Sequence, residues 1–228
     1  MTEQLTFSLP AHTTATRENF LVSDCNAAAL RWIDAFPNWP APALLLIGEQ
    51  GSGKTHLASI WQQQTGARYY TAAQLSTATI ADWLEGDTVG CIIDDCGEDL
   101  AEAALFHLYN IAKESGKFLL LVSRLPLEEW NISLPDLRSR LKAAPVAVLG
   151  LPDAGLFHAI LAKLFADRQL QVSDDVLKYI VSRSERSFAA AHDCVALLDA
   201  AALQHKHSIT IPFVREHWGN ATSASSTS

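Results

Sequence analysis

The clearest chemistry in this chain lies in Gly48-Glu49-Gln50-Gly51-Ser52-Gly53-Lys54-Thr55. The run fits G-x-x-x-x-G-K-[ST], a loop whose glycines let backbone N–H groups close round phosphate oxygens. Gly48 and the stretch from Gln50 through His56 form the expected phosphate-holding set. Lys54 is placed to reach the β- and γ-phosphates, and the Thr55 hydroxyl to sit on Mg²⁺. A second signal is Val89-Gly90-Cys91-Ile92-Ile93-Asp94-Asp95, an apolar run ending in two carboxylates. In phosphate-loop proteins a carboxylate at such a strand end holds the Mg²⁺, which assigns Asp94 to the metal beside Thr55. Asp95 can orient a water against the γ-phosphate, or it can cap the next helix. At the end of Phe118-Leu119-Leu120-Leu121-Val122 stands Ser123. Its hydroxyl either senses the γ-phosphate or caps the following loop, and the residues alone leave both open. The expected ligand is ATP or ADP with Mg²⁺.

The elements that must position these groups are legible in the apolar pattern. Ala43–Ile47 is a short unbroken apolar run, as in a strand buried on both faces. His56–Gln64 follows as a helix with Leu57, Ile60 and Trp61 at helical spacing, stopped by Gly66. Further strands are expected at 67–71, 89–95, 118–122 and 146–149. Helices are expected at 77–85, 99–115 and from Pro135, which pre-sets a first turn; 125–131 reads as loop around Pro126. Strands alternating with helices make a three-layer α/β domain with a parallel five-stranded sheet. Before it, Asn19-Phe20-Leu21-Val22 leads into a helix from Asn26 to Phe36. That segment can cover a nucleotide base or simply close the sheet edge.

After Gly150-Leu151-Pro152 only helical patterns follow. They span 153–168, a helix capped by Ser173 and backed by Asp174 and Asp175, 187–205, and a short one from Pro212 through Trp218. The expected organisation is an arm over 1–16, the α/β domain over 17–150, a helical lid over 151–219 and a polar, disordered tail over 220–228. Within the arm, Leu5, Phe7 and Leu9 of Gln4-Leu5-Thr6-Phe7-Ser8-Leu9-Pro10 alternate. In an extended chain they point one way, as an edge strand or as a peptide for another protein's groove.

The 228 residues are 49% hydrophobic and 18% charged, enough for a sizeable core and too apolar for wholesale disorder. Seventeen Lys+Arg against 25 Asp+Glu give a net charge of −8, which argues against a broad nucleic-acid-binding surface. The four cysteines show no C-x-x-C pair or zinc spacing and read as reduced, mostly buried thiols. With no leader pattern and no apolar run approaching a membrane span, the chain reads as soluble and cytoplasmic.

These motifs resemble the AAA+ ATPases, and Gly53-Lys54-Thr55-His56-Leu57 resembles the DnaA-related branch. Leu21, Val22 and Asn26 are similar to that branch's adenine-covering stretch. Leu137-Arg138-Ser139-Arg140-Leu141 resembles the box ending in the family's arginine finger, so the resemblance gives Arg140 a catalytic role, with Asp94 and Asp95. It likewise gives Arg186, in Ser184–Phe188, the lid's phosphate-sensing role. Ser208–Glu216 and the arm resemble Hda-like members, so Gln4, Leu5, Phe7 and Leu9 are expected to bind the sliding clamp, the β subunit of DNA polymerase III. The resemblance implies a regulator that stimulates hydrolysis of ATP held by DnaA, at the bacterial replisome or nucleoid. Without a helix-turn-helix after the lid, no sequence-specific DNA contact is expected. Some Hda-like proteins carry a degraded phosphate loop, whereas Lys54 and Thr55 are intact here, so self-hydrolysis stays open, as does a homodimer or higher oligomer. A helicase loader or transposition helper is the rival of the same clade. A small-molecule kinase and a scaffold with a structural nucleotide are rivals of other classes.

Overall fold

The unbroken apolar runs and the amphipathic stretches sort into one sheet and the helices on its two faces. The computed structural model describes residues 16–85, 88–97, 100–205 and 208–218. The Gln4–Pro10 motif and the 220–228 tail lie outside them. Five strands, β1 (Ala43–Gly48), β2 (Arg68–Thr71), β3 (Gly90–Cys96), β4 (Phe118–Ser123) and β5 (Val146–Leu149), form a sheet in the order β2-β3-β4-β1-β5. Every pairing is parallel. All six residues of β1 are buried, as expected of a strand covered on both faces.

Helices α1 (Asp24–Asp34) and α2 (Lys54–Thr65) cover one face, where Leu30, Ile33, Leu57 and Trp61 meet Leu44, Leu46 and Ile92. On the other, α3 (Thr77–Glu85), α4 (Glu102–Ser115) and α5 (Pro135–Ala143) bring Trp83, Leu105, Leu108, Leu137 and Leu141 against Leu45, Ile93 and Leu121. Each such fully buried aliphatic side chain contributes about 1.5–3 kcal/mol. The chain leaves β1 for the far edge at β2 and returns through β3 and β4 to β1's side. The carboxyl end of β1 beside β4 is therefore the topological switch point, where open α/β sheets bind ligands.

The lid is a separate helical layer. Helices α6 (Ala154–Asp167), α7 (Asp174–Val181), α8 (Phe188–His205) and α9 (Ile211–His217) bury Phe157, Leu161, Phe165, Leu198 and Phe213 in a core of their own. Asp153 caps α6 by accepting from the Leu156 N–H at 2.8 Å. The expected Ser173 cap makes no side-chain bond; Asp174 there pairs instead with Lys178 at 2.7 Å and His158 at 2.9 Å. Several boundaries differ from expectation: α1 starts and ends two residues early, and α2 starts two residues early, at Lys54. Helix α4 begins at Glu102 rather than at position 99, and a 3-10 turn at Leu127–Glu129 interrupts the expected loop, with the Trp130 indole donating to Leu125 O at 3.0 Å.

The four cysteines are free thiols. Burial pushes the Cys194 thiol up to about 12 and raises Cys91 and Cys96 further. No thiolate nucleophile is available from these three near neutral pH. Among the described residues no helix is long and apolar enough to cross a membrane.

Candidate functional site

The loop between β1 and α2 can turn only because of its glycines. Gly51 and Gly53 have φ of 78° and 96°, left-handed values that L side chains rarely adopt. A Cβ on Gly48 would lie 2.7 Å from Ser52 Oγ and 3.0 Å from Leu149 O. The loop ends on Gly53 as the N-cap of α2, so the helix's first N–H groups and its positive dipole end face the loop's interior. Lys54 heads that helix and donates from Nζ to Gly48 O and Glu49 O, both at 2.7 Å. Burial is the main cause lowering its pKa, followed by the nearby Arg124 cation; Asp94, Asp95 and Glu49 oppose the shift. Ser52 Oγ is buried and has no protein partner among the described residues. A buried hydroxyl of this kind needs a ligand or water acceptor, and a phosphate oxygen in this cradle fits. Thr55 follows on α2, exposed.

The two β3 carboxylates diverge. The β3–β4 register shifts between Ile93 and Cys96, and Asp95 adopts a left-handed φ of 55°. Such a bulge re-aims side chains next to a site. Asp94 keeps the alternation of Ile92 and faces the side of α2, only 9% exposed. Its Oδ1 accepts from the Asp95 N–H at 2.8 Å, and its Oδ2 accepts from the Tyr69 hydroxyl of β2. Burial, then this bond, raises the Tyr69 phenol well above its ordinary value. Asp95 is exposed and lies 3.7 Å from Arg124, whose Nη1 points to Gln50 Oε1 at 3.5 Å. Ser123 is buried, donating to Leu125 O at 2.9 Å and accepting from the Leu125 N–H at 3.0 Å. Of its two sequence readings, this is the geometry of a loop cap; the side chain at that strand tip which faces the phosphate loop is Arg124.

A cleft of about 280 Å³ opens beside the loop, lined by the α/β domain and the lid. Asn19, Phe20, Leu21 and Asn26 enter it from the segment ahead of β1. Val22 does not line it and stands 52% exposed. Asn26 is buried and braces this segment, donating to Leu21 O at 2.8 Å and accepting from the Ser23 N–H at 2.9 Å. His56 Nε2 donates to Thr16 O at 2.8 Å, and its ring meets Phe20 edge-on at 5.2 Å. From the lid come Ile160, Lys163, Phe188 and His192. Phe188 rests on the loop itself, since a Cβ on Gly51 would lie 2.9 Å from its Cβ. Arg186 is exposed and lines a different groove of the lid, with Ala154, His158, Lys178 and Ser182.

Arg140 lies on α5, against α4. It donates to Asn110 Oδ1 and stacks on Phe106 and Tyr109, at 4.6 and 5.6 Å from their ring centroids. The flanking Leu137 and Leu141 are fully buried and fix the helix's orientation. Arg138 donates to Ile132 O at 2.6 Å. Glu102 ties the start of α4 to the start of α5, accepting from the N–H groups of Ser133 and Leu134 at 2.9 and 2.7 Å. Arg140 does not line the cleft.

The structure thus gathers the phosphate loop, Leu21, Asn26 and His56 around one cleft, with Asp94 and Asp95 at the neighbouring strand end. It sets Arg140, Arg186 and Val22 elsewhere. Sequence reasoning missed Tyr69, Arg124, Lys163 and His192. Only Arg124, a cation beside the Ser123 already singled out, left a signal there. A hydroxyl and carboxylates are the hard oxygen donors that Mg²⁺ takes together with phosphate and water, so Thr55 and Asp94 fit it in kind. No group of three or more His, Cys, Asp or Glu side chains converges as a metal cage among the described residues.

Comparison with known proteins bears on the whole arrangement. Residues 157–217 match the family model described as the Hda lid domain. An uncharacterised protein of Haemophilus influenzae is 31% identical over 187 residues, covering 77% of this chain and 80% of that protein. Domain III of the Thermotoga maritima replication initiation protein DnaA superposes with a TM-score of 0.70 at 20% identity, over 93% of this chain and 98% of that one. AMPPCP-bound DnaA from Aquifex aeolicus gives 0.64 at 19% identity, over 84% and 67%. The Thermotoga maritima RuvB Holliday junction branch migration motor gives 0.63 at 20% identity, over 77% and 60%. With its parallel five-stranded sheet, phosphate loop and helical lid, the chain has the AAA+ fold of DnaA domain III, and its lid belongs to the Hda lid-domain family.

Proposed function

We propose that this chain is a nucleotide-binding AAA+ regulator of replication initiation, carried to the sliding clamp by its arm and acting on ATP held by DnaA. Nucleotide binding is supported by the cradle around Lys54 and the orphan Ser52 hydroxyl, and by the AMPPCP-bound state of a structural neighbour. The observation that carries the rest is the position of Arg140. It is half-buried on α5, held against α4 by Asn110 and two aromatic rings, and stands apart from its own chain's cleft. An arginine so placed is poised for a neighbouring subunit's nucleotide.

On this reading Arg140 enters the site of DnaA and neutralises charge on the γ-phosphate as it leaves, an effect worth about 10³–10⁵ in rate. The chain's own ADP or ATP bridges body and lid. Leu21 and Phe20 cover the base, Lys54 and the loop N–H groups hold the phosphates, and the exposed Thr55 hydroxyl is the group that Mg²⁺ can reach. Arg186 keeps the phosphate-sensing role only if the lid turns; as the lid stands, Lys163 and His192 are its basic side chains in the cleft. Gln4, Leu5, Phe7 and Leu9 supply the clamp contact. Immobilised chain incubated with purified clamp and DnaA tests this directly. The wild type retains both proteins, and Ala at positions 4, 5 and 7 loses the clamp; retention of neither by the wild type overturns the proposal.

A further inference from the structure

The Asp94 carboxylate, the group assigned to the metal, is already engaged on both oxygens. Oδ1 takes the Asp95 N–H and Oδ2 takes the Tyr69 hydroxyl. The second contact follows from sheet register. Thr71 of β2 pairs with Asp94 and Tyr69 with Ile92, so Tyr69 and Asp94 share a face as diagonal neighbours, a span that a long aromatic side chain reaches. β2 is the outer strand of the described sheet, and Tyr69 is 38% exposed. Its ring can therefore swing clear without disturbing the core, whereas Asp94 is only 9% exposed and has nowhere to turn. Asp95, the remaining acid of the pair, lies against Arg124.

We propose that Tyr69 is a positioning residue that holds the Asp94 carboxylate away from divalent cation, so that this chain retains its nucleotide with little help from Mg²⁺. A cation, or a water bound to it, needs a lone pair on one of the two Asp94 oxygens, and the Asp95 N–H and the Tyr69 phenol already take one on each and compete for that carboxylate's charge. The cradle needs no such help: Lys54, the α2 N-terminus and the loop N–H groups supply positive charge for phosphate on their own. The inference rests on the nucleotide-binding reading above and adds to it a reason why the chain would keep its nucleotide rather than turn it over.

The test is the ADP dissociation constant, measured by calorimetry on the full chain in excess Mg²⁺ and again in EDTA. The wild type is expected to show a ratio of less than about threefold. In Tyr69→Phe, where the hydrogen bond to a charged group is gone and the ring remains, Mg²⁺ should tighten ADP by about tenfold or more. Adding Asp94→Asn to Tyr69→Phe should return the ratio to the wild-type value, which a merely structural tyrosine would not produce. A Tyr69→Phe ratio equal to the wild type's, or a wild type already tenfold dependent on Mg²⁺, overturns the lock while leaving nucleotide binding intact. Failure of the wild type to bind ADP in either buffer overturns the nucleotide reading and the lock together.

Discussion

Replacing Lys54 with Met keeps the length and most of the apolar stem while deleting the charge. In the structure the ammonium satisfies two loop carbonyls, Gly48 O and Glu49 O, each at 2.7 Å. The bond to Gly48 O is buried and that to Glu49 O partly buried, so losing them should lower thermal stability modestly, by about 1–3 kcal/mol at most. Nucleotide loses a charge-assisted partner that nothing else in the loop reproduces. A hydrogen bond to a charged group is worth about 1.5–3 kcal/mol, which corresponds to a roughly 10- to 150-fold weaker dissociation constant. Calorimetry with ADP reads this directly, with a melting curve as control. Equal affinity in the two proteins would remove the loop from the account. A melting temperature collapsing along with affinity would show instead that Lys54 holds the loop together and not the ligand.

Three other consequences are open to measurement. Phe157 is fully buried in the lid core, so Phe157→Ala should weaken the lid by about 3–5 kcal/mol in urea, and a loss below about 1 kcal/mol would contradict its assignment as a core anchor. Hydrogen bonds from Ser133 and Leu134 hold the Glu102 carboxyl below its ordinary value of 4.5. Because the folded value is the lower one, the tether between α4 and α5 is fully present above that ordinary value and is lost as pH falls through the folded one. The gap in melting temperature between wild type and Glu102→Gln should accordingly hold near neutrality and narrow in acid; a gap independent of pH refutes the tether. Ala at Gln4, Leu5 and Phe7 should abolish clamp binding with the melting curve almost unchanged, and a melt lower by many degrees would make the segment a structural strand.

What could be read from the sequence was local. The loop motif, the apolar runs of β1 and β4 and the acids closing β3 declare themselves by residue type and period, and the lid's helices by their stripes. What escaped depends on register and docking. Tyr69 reaches Asp94 only because β2 pairs with β3 so that Thr71 lies opposite Asp94, a relation between segments far apart in sequence. Ser123 could be written as a sensor or a cap, and its hydrogen bonds to the Leu125 backbone depend on a loop path that the residues alone do not give. The lid shows the same limit. Arg186 precedes α8, and the turn that helix makes against Gly51 brings Phe188 and His192 to the cleft instead. An amphipathic pattern says which face is buried in the helix's own domain, and it says nothing about which residues meet a second domain.

Arg140 carries the central claim. Its contacts to Asn110, Phe106 and the buried Tyr109 are those of one half-buried side chain at the edge of the core, so Arg140→Ala should still fold, at a small cost in stability, and bind ADP and clamp as the wild type does. The decisive measurement is the conversion of radiolabelled ATP preloaded on DnaA, mixed with clamp-loaded DNA and either protein. Wild type should accelerate conversion to ADP, and Arg140→Ala should lose that acceleration by orders of magnitude, about 10³-fold or more. Conversion at the wild-type rate by Arg140→Ala would contradict the mechanism.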